Sequence, residues 1–236
     1  MESRYEQKFL VPLEHVGLLK NMLRHCCVQD RWYPENTIYS MYFDTVELRS
    51  FHAVLDGDMR KEKIRLRWYE SDLLQNNGAL NVFLEVKRKE GFCGEKQRVK
   101  ISLPREHLES LLKDTNGLSV FCHERIKGIG LREEEPLYPI VLIKHRRHRF
   151  REPFAGLRLS IDSEIHVVQV NTGILPLSRS CKTNKAVLEI KGALYCWPNS
   201  LKLLESLPLK RASFSKYAYC VDACRFIPEF SEKWFV

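Results

Sequence analysis

Cations recur at every second position in several segments of this chain. Lys63, Arg65 and Arg67 alternate with Ile64, Leu66 and Trp68. Glu85, Lys87 and Lys89 stand opposite Leu84 and Val86, and Lys96, Arg98 and Lys100 stand opposite Val99 and Ile101. His145, Arg147 and Arg149 keep the rule, as do Arg158, Ser160, Asp162 and Glu164 against Leu157, Leu159 and Ile161. Glu189 and Lys191 are flanked by Leu188 and Ile190, and Glu6 and Lys8 begin the series. Residues two apart share one face of a β-strand, so each segment predicts a strand with one charged and one apolar side. Taken singly, such a strand is a sheet's solvated face. Together the charged faces hold mainly Arg and Lys with single acids among them, where a plain solvent face would carry more Thr, Ser and Gln. The alternative is a barrel whose lumen is charged and whose apolar outside is covered by helices, of a size to enclose one small ligand. Cations facing one another repel unless a polyanion lies between them, which makes that lumen a polyphosphate-shaped site.

The elements that must carry these residues are legible in outline. Strands are predicted at about 4–11, 37–43, 61–69, 80–89, 96–103, 138–150, 157–170 and 186–194. A helix follows the first, with Leu13, Val16, Leu19 and Leu23 on one face. Asp44 or Thr45 reads as the cap of a short helix through Leu55, ended by Asp56-Gly57, and Asp44 as a cap rather than a ligand. Pro104 opens a helix through Leu112, a second helical stretch spans 118–129, and the chain from Pro198 onward reads as mostly helical. The expected class is α+β: an eight-stranded, mainly antiparallel β-barrel tunnel with helices packed outside, in a single domain over residues 1–236.

Composition narrows the class. The 236 residues carry 38 Lys plus Arg against 30 Asp plus Glu, a net charge of +8, so an anionic partner is expected. With 44% hydrophobic residues the chain can build a real core. The longest apolar stretch, 137–143, is far short of a membrane span and contains Pro139. No apolar segment follows Met1-Glu2-Ser3-Arg4, so a soluble, cytoplasmic protein is expected. The eight cysteines (26, 27, 93, 122, 181, 196, 220 and 224) form no CxxC and no zinc-finger spacing with histidine. They read as reduced thiols, most of them filling the core.

The ordered pieces resemble a known family. Tyr5-Glu6-Gln7-Lys8-Phe9, Tyr42-Phe43-Asp44-Thr45, the run from Lys63 to Tyr69, the run from Phe83 to Lys89, Lys96-Gln97-Arg98, His145-Arg146-Arg147, the run from Leu157 to Asp162, Val187-Leu188-Glu189-Ile190-Lys191 and Ser213-Phe214-Ser215-Lys216-Tyr217 occur in sequence. In that order they are similar to the polyphosphate polymerase domain of the vacuolar transporter chaperone (VTC) complex and its stand-alone bacterial relatives, within the triphosphate tunnel metalloenzymes. The resemblance implies transfer of the γ-phosphate of ATP to a growing inorganic polyphosphate chain with a divalent metal, Mn²⁺ or Mg²⁺. It implies catalytic roles for Lys8, Arg65, Arg67 and Lys216. It implies substrate-binding roles for Lys87, Lys96, Arg147, Arg158 and Ser215, and a metal-binding role for Glu189. His145 stands where the family usually has Tyr, and the resemblance implies substrate contact there in altered form. Neither an inositol-phosphate sensor segment nor a membrane segment is expected from these residues; a membrane partner is left open.

These residue types suit that chemistry. Arginine forks hold two phosphate oxygens in fixed geometry, and lysines add freer point charges. Phosphoryl transfer is mostly positioning and charge stabilisation. A hard divalent cation needs carboxylates among the phosphates: Glu189 first, with Glu6, Glu85 and Asp162 as second choices. Arg146, Arg149 and Arg151 form a dense basic run that reads as surface or chain exit. Two alternatives compete. One is a tunnel triphosphatase, hydrolysing inorganic triphosphate or a nucleoside triphosphate; enzymes of that kind usually carry Glu-x-Glu-x-Lys in the first strand, where this chain has Arg4-Tyr5-Glu6-Gln7-Lys8. The other is a non-catalytic polyanion binder; no nucleic-acid motif is present, so nucleic acid is not an expected partner.

Overall fold

Period-two alternation dominates the chain, and strands dominate the computed structural model, which describes residues 5–71, 79–91, 93–128, 135–175 and 181–225. The main strands are β1 (Tyr5–Pro12), β3 (Glu35–Asp44), β4 (Arg60–Tyr69), β5 (Ala79–Glu90), β6 (Cys93–Pro104), β7 (Tyr138–Arg151), β8 (Arg158–Val170) and β9 (Lys185–Gly192). Two short strands, β2 (Val28–Gln29) and β10 (Lys210–Arg211), were not predicted. The helices are α1 (Val16–Cys26), α2 (Arg49–Leu55), α3 (Arg105–Lys113), α4 (Thr115–Gly128) and α5 (Lys216–Arg225), with a 3-10 helix at Asn199–Ser206. Each predicted strand is present within a few residues of its expected ends. Arg4, Ile129 and residues 226–236, which the sequence reading includes in elements, lie outside the described residues.

All strand pairings are antiparallel, in the order β10-β1-β9-β8-β7-β3-β4-β5-β6, with β2 beside β7. The expected closed barrel is therefore corrected: among the described residues the hydrogen-bonded path is open. The physical reason lies at β1. Its free edge is taken by β10, with Phe9 opposite Arg211 and Leu10 opposite Lys210. The Ala212 N–H then donates to the Lys8 carbonyl at 3.0 Å. The edge that would close onto β6 is thus occupied. The sheet still curls far enough for its two ends to meet by charge, with Lys87 Nζ of β5 at 3.7 Å from Glu6 Oε2 of β1. Register shifts in β3–β7 and β7–β8, with Glu164 at φ 54°, supply local bends of the kind that tighten such a curl.

The outer face is apolar, as predicted, and is covered in two patches. Ile64, Leu66, Leu84 and Val86 pack beneath α3 and α4. Leu159, Ile161, Leu188 and Ile190 pack beneath α1 and the 3-10 helix. Each such side chain contributes about 1.5–3 kcal/mol when fully buried. The inner face divides along the strands. One end is apolar, with Leu10, Tyr42, Val141, Ile143 and Val187 packed against Phe51 of α2 and Tyr217 and Val221 of α5. The other end is charged and open. Cys27, Cys122, Cys181, Cys220 and Cys224 are buried thiols, in keeping with the core role expected of most of the cysteines, whereas Cys26 is half-buried and Cys196 is exposed.

Asp44 ties the inner helices to the sheet. Its carboxylate accepts from the N–H groups of Thr45 at 2.9 Å, Ser50 at 2.8 Å and Phe51 at 3.0 Å, and from the Tyr217 hydroxyl at 2.6 Å. Thr45 Oγ1 accepts from the Arg49 N–H at 3.2 Å. Both expected caps therefore serve α2, although Leu48, at φ 55°, occupies the backbone position before the helix. Asp44→Ala is expected to lower stability by about 3 kcal/mol, because buried N–H groups and a phenol lose a charged acceptor. Tyr217→Phe is expected to cost about 1 kcal/mol. Urea unfolding checks both; equal stability of Asp44→Ala and the parent would reject the capping assignment.

Candidate functional site

Strand register brings the alternating charges of separate segments onto one surface. Arg65 pairs with Tyr42 on one side and Glu85 on the other; Arg67 pairs with Ser40 and Phe83. Glu85 faces Arg98, and Lys87 faces Lys63 and Lys96. Across the groove, Arg147 faces Asp162, Ser160 faces Glu189, Arg158 faces Lys191, and Glu189 faces Lys8.

Two buried carboxylates organise the cations. The Glu85 side chain is 3% exposed. It accepts from Arg65 Nε at 2.8 Å and Lys96 Nζ at 2.8 Å, with Arg67 Nη1 and Arg98 Nε each at 3.5 Å. Arg65 Nη1 also donates to the Tyr42 hydroxyl at 3.1 Å, and Arg67 Nε to Ser40 Oγ at 3.2 Å. The Asp162 side chain is wholly buried. It accepts both arms of Arg147, Nε at 2.5 Å and Nη2 at 2.6 Å, and it also accepts from Lys216 Nζ. Burial pushes each acid up, yet the cations dominate: Arg65, Arg67 and Lys96 hold Glu85, and Arg147 and Lys216 hold Asp162, well below the ordinary carboxylate range. In this structure their lone pairs are committed to cations, so these two second-choice metal ligands anchor Arg65, Arg67 and Arg147.

The third acidic centre is looser. Glu6 lies 3.1 Å from Lys8 Nζ and 3.4 Å from Lys191 Nζ, and Glu189 also contacts Lys191. Arg147 Nη2 stands 4.0 Å from Glu189 and so links this centre to Asp162. Burial raises Glu6, but Lys8, Lys191 and Lys87 lower it to about 2. Glu189 is lowered likewise, with burial opposed by Lys191, Arg147 and Lys8. These carboxylates from adjacent strands converge on the partly exposed ammonium of Lys191, and neither takes a two-pronged guanidinium pair like that of Asp162. That donor set fits a divalent ion whose other ligands come from phosphate oxygens. No ready-made cage of three His, Cys, Asp or Glu side chains occurs among the described residues.

Ser215 and Lys216 open α5 at the groove. Ser215 Oγ caps the helix by accepting from the Ala218 N–H at 3.3 Å, and it also accepts from Lys63 Nζ at 2.9 Å. Lys8 Nζ donates to the Phe214 carbonyl at 3.1 Å. This turn thus bridges β1 and β4, where the sheet itself does not close.

The predicted residues separate into groups. Arg65, Arg67 and Lys96 gather at Glu85; Arg147 and Lys216 gather at Asp162; Lys8 and Lys87 meet Glu6. Arg158 is exposed at the outer end, where Arg147, Arg149, Arg151, Arg158, Glu189 and Lys191 line a cavity of about 640 Å³. Arg149 and Arg151, read as surface from charge density alone, thus belong to the charged face; their spacing from Arg147 is the signal that could have found them. Arg146 does point away, pairing with Glu35 and Glu164. His145 is 1% exposed, and neither ring nitrogen has a hydrogen-bond partner. Its Nε2 lies 3.8 Å from Asp162 Oδ1, and burial, with Lys216, Arg147 and Arg67 nearby, pushes it well below the usual histidine range despite that acid. It is a neutral imidazole under the groove floor.

The arrangement can hold a chain of phosphates in line, with forks aimed from both walls and lysines at the rim. No helix among the described residues is long and apolar enough to cross a membrane. Comparison with solved structures finds distant likenesses. A proposed adenylate cyclase from Bacillus halodurans is 12% identical over 99% of this chain and 98% of that one, at a TM-score of 0.47. A proposed adenylate cyclase from Vibrio parahaemolyticus is 12% identical over 91% and 95%, at 0.46. The Schizosaccharomyces pombe Mediator head module is 13% identical over 88% and 99%, at 0.42. No curated protein matches the chain in sequence. The family model of the VTC domain matches residues 3–225, a span that takes in every strand and helix lining the groove, and the chain belongs to the VTC domain family.

Proposed function

We propose that this protein is a polyphosphate polymerase that transfers the γ-phosphate of ATP to the end of a growing inorganic polyphosphate chain. The observation that carries this reading is the inner face itself. Arg65, Arg67 and Arg147 are aimed from opposite walls by Glu85 and Asp162 and keep guanidinium N–H groups for phosphate. Membership of the VTC domain family supports it. In the transfer, the attacking group is a terminal phosphate oxygen of the chain, already anionic, so no strong general base is required. Arg65, Arg67 and Arg147 stabilise charge on the equatorial oxygens of the moving phosphoryl group. Lys216 and the first N–H groups of α5 meet an adjacent phosphate, while Lys8, Lys87 and Lys96 neutralise the chain along its length. Arg158, with Arg149 and Arg151, receives phosphates at the outer end. A divalent cation, Mn²⁺ or Mg²⁺, held by Glu189 and Glu6 together with phosphate oxygens, would supply further charge neutralisation.

Incubation with ATP and Mn²⁺, resolved on a gel stained for polyphosphate with free phosphate measured in parallel, tests the reading. Long polymer with matching ADP is expected. Free phosphate without polymer would replace the polymerase by a triphosphatase. Arg65→Ala and Arg67→Ala are each expected to lower turnover about 10³-fold while circular dichroism stays native; near-parental turnover in a folded variant would remove the arginines from the reaction. Glu189→Gln is expected to leave tripolyphosphate binding in place and to weaken the response to metal by about 100-fold. An unchanged metal titration would show that the ion sits elsewhere.

A further inference from the structure

Lys63 differs from the groove cations already assigned. Arg65 and Arg67 face Glu85, Arg147 and Lys216 face Asp162, and Lys8 faces Glu6. Lys63 has no carboxylate partner among the described residues. Its one hydrogen bond goes to Ser215 Oγ, an acceptor that carries no charge. Around it stand further cations: Lys61 and Arg65 from its own strand, Lys87 from β5 and Lys8 from β1. Glu6, the acid on β1 that reaches Lys87 beside it, is already shared by Lys8, Lys87 and Lys191. A primary amine has a choice here that the neighbouring guanidiniums lack, because it can lose its proton and still keep its place. The neutral amine can donate to Ser215, and losing the charge relieves the repulsion.

We propose that Lys63 couples occupation of the groove to proton uptake: held in the empty protein by the uncharged Ser215 hydroxyl and by no carboxylate among the described residues, its amine takes a proton from solvent when a phosphate chain enters between it and the neighbouring lysines. This deepens the functional reading above and rests on it, since the phosphate chain is the ligand that supplies the missing counter-charge. The balance is simple. The amine and a solvent proton become an ammonium, and the ammonium donates to a phosphate oxygen. Burial first, then Lys8, Lys87, Arg65 and Lys61, lower the empty-state value of Lys63 to about 7 from the usual 10.5. A bound polyanion reverses the sign of the surrounding field, and the value returns toward 10.5. At a pH between these two values each binding event therefore draws in about one proton at this residue, and apparent affinity falls as pH rises through that window. Because Lys63 also holds Ser215 at the start of α5, charging it acts on the turn that carries Lys216.

Calorimetric titration of the protein with tripolyphosphate at pH 8, in two buffers of different ionisation enthalpy, counts the protons. Lys63→Arg keeps a charge that stays protonated and so should bind without the uptake. The expected result is that the parent takes up about one proton more than Lys63→Arg at pH 8, with the difference vanishing near pH 5.5, where the parent amine is already charged. The difference between the proteins removes the titration of the ligand itself. An equal proton count in both would overturn the proposal, as would a difference that does not change with pH. Absence of tripolyphosphate binding by either protein would instead overturn the functional reading on which the proposal rests.

Discussion

Two carboxylates buried between arginines hold this site together. Without Glu85 and Asp162 the inner face would be a crowd of like charges, and the low dielectric of a half-closed groove would drive them apart or strip their protons. With them, each wall carries one buried acid that gathers arginine and lysine, and the cations outnumber the acids. Each acid is wholly used in ion pairing, while the surplus charge of its partners is left over and directed inward. A buried ion pair is seldom a source of net stability, since desolvation offsets much of the attraction. Its contribution here is orientation. A guanidinium held by a carboxylate at one edge presents its other edge in a known direction, and in phosphoryl transfer direction matters more than raw affinity.

The same logic joins the fold to the groove. The inner face is apolar at one end so that α2 and α5 can dock there, and Asp44 holds both by accepting from the first turn of α2 and from Tyr217 of α5. Docking α5 delivers Ser215 and Lys216 to the charged end. There Lys216 completes the shell around Asp162, and Ser215 meets Lys63 from the far side of the groove. The turn that opens the helix therefore ties β1 to β4 through Lys8 and Lys63, two strands that do not pair with each other in the sheet.

The strands were legible because the period-two pattern is strong, and the apolar outer face was legible with it. What could not be read was who stands opposite whom. Glu85 and Asp162 looked like metal ligands because a lone acid among cations in one strand has that appearance; only the register, with Arg65 and Arg147 directly across, shows their oxygens to be committed. Arg149 and Arg151 were set aside because a run of basic residues suggests a surface, although their spacing from Arg147 already places them on the charged face. The open edge turns on β10, two residues with no pattern of their own. Its pairing with β1 depends on how the chain returns after the 3-10 helix, which is a tertiary matter. Lys63 was visible in the alternation, but its isolation from carboxylates is a property of four strands and a helix taken together.

Committing two inner acids to arginines also limits the chemistry that remains. Glu6 and Glu189 are the carboxylates of this face held mainly by lysines, with Arg147 4.0 Å from Glu189, and both touch Lys191. On the proposed reading, a cation entering with phosphate would compete there with the partly exposed Lys191 ammonium. Displacing Arg65 from Glu85 or Arg147 from Asp162 would undo the aim of the groove. A single carboxylate pair is too few ligands for two metals, each of which would have to be held before substrate arrives. On the reading proposed above, a phosphate oxygen arrives as a nucleophile with its charge already present and asks less of these carboxylates than activating a water molecule would. The scarcity of acids outside the arginine pairs, among the described residues, is also what leaves the charged face net positive toward a polyanion.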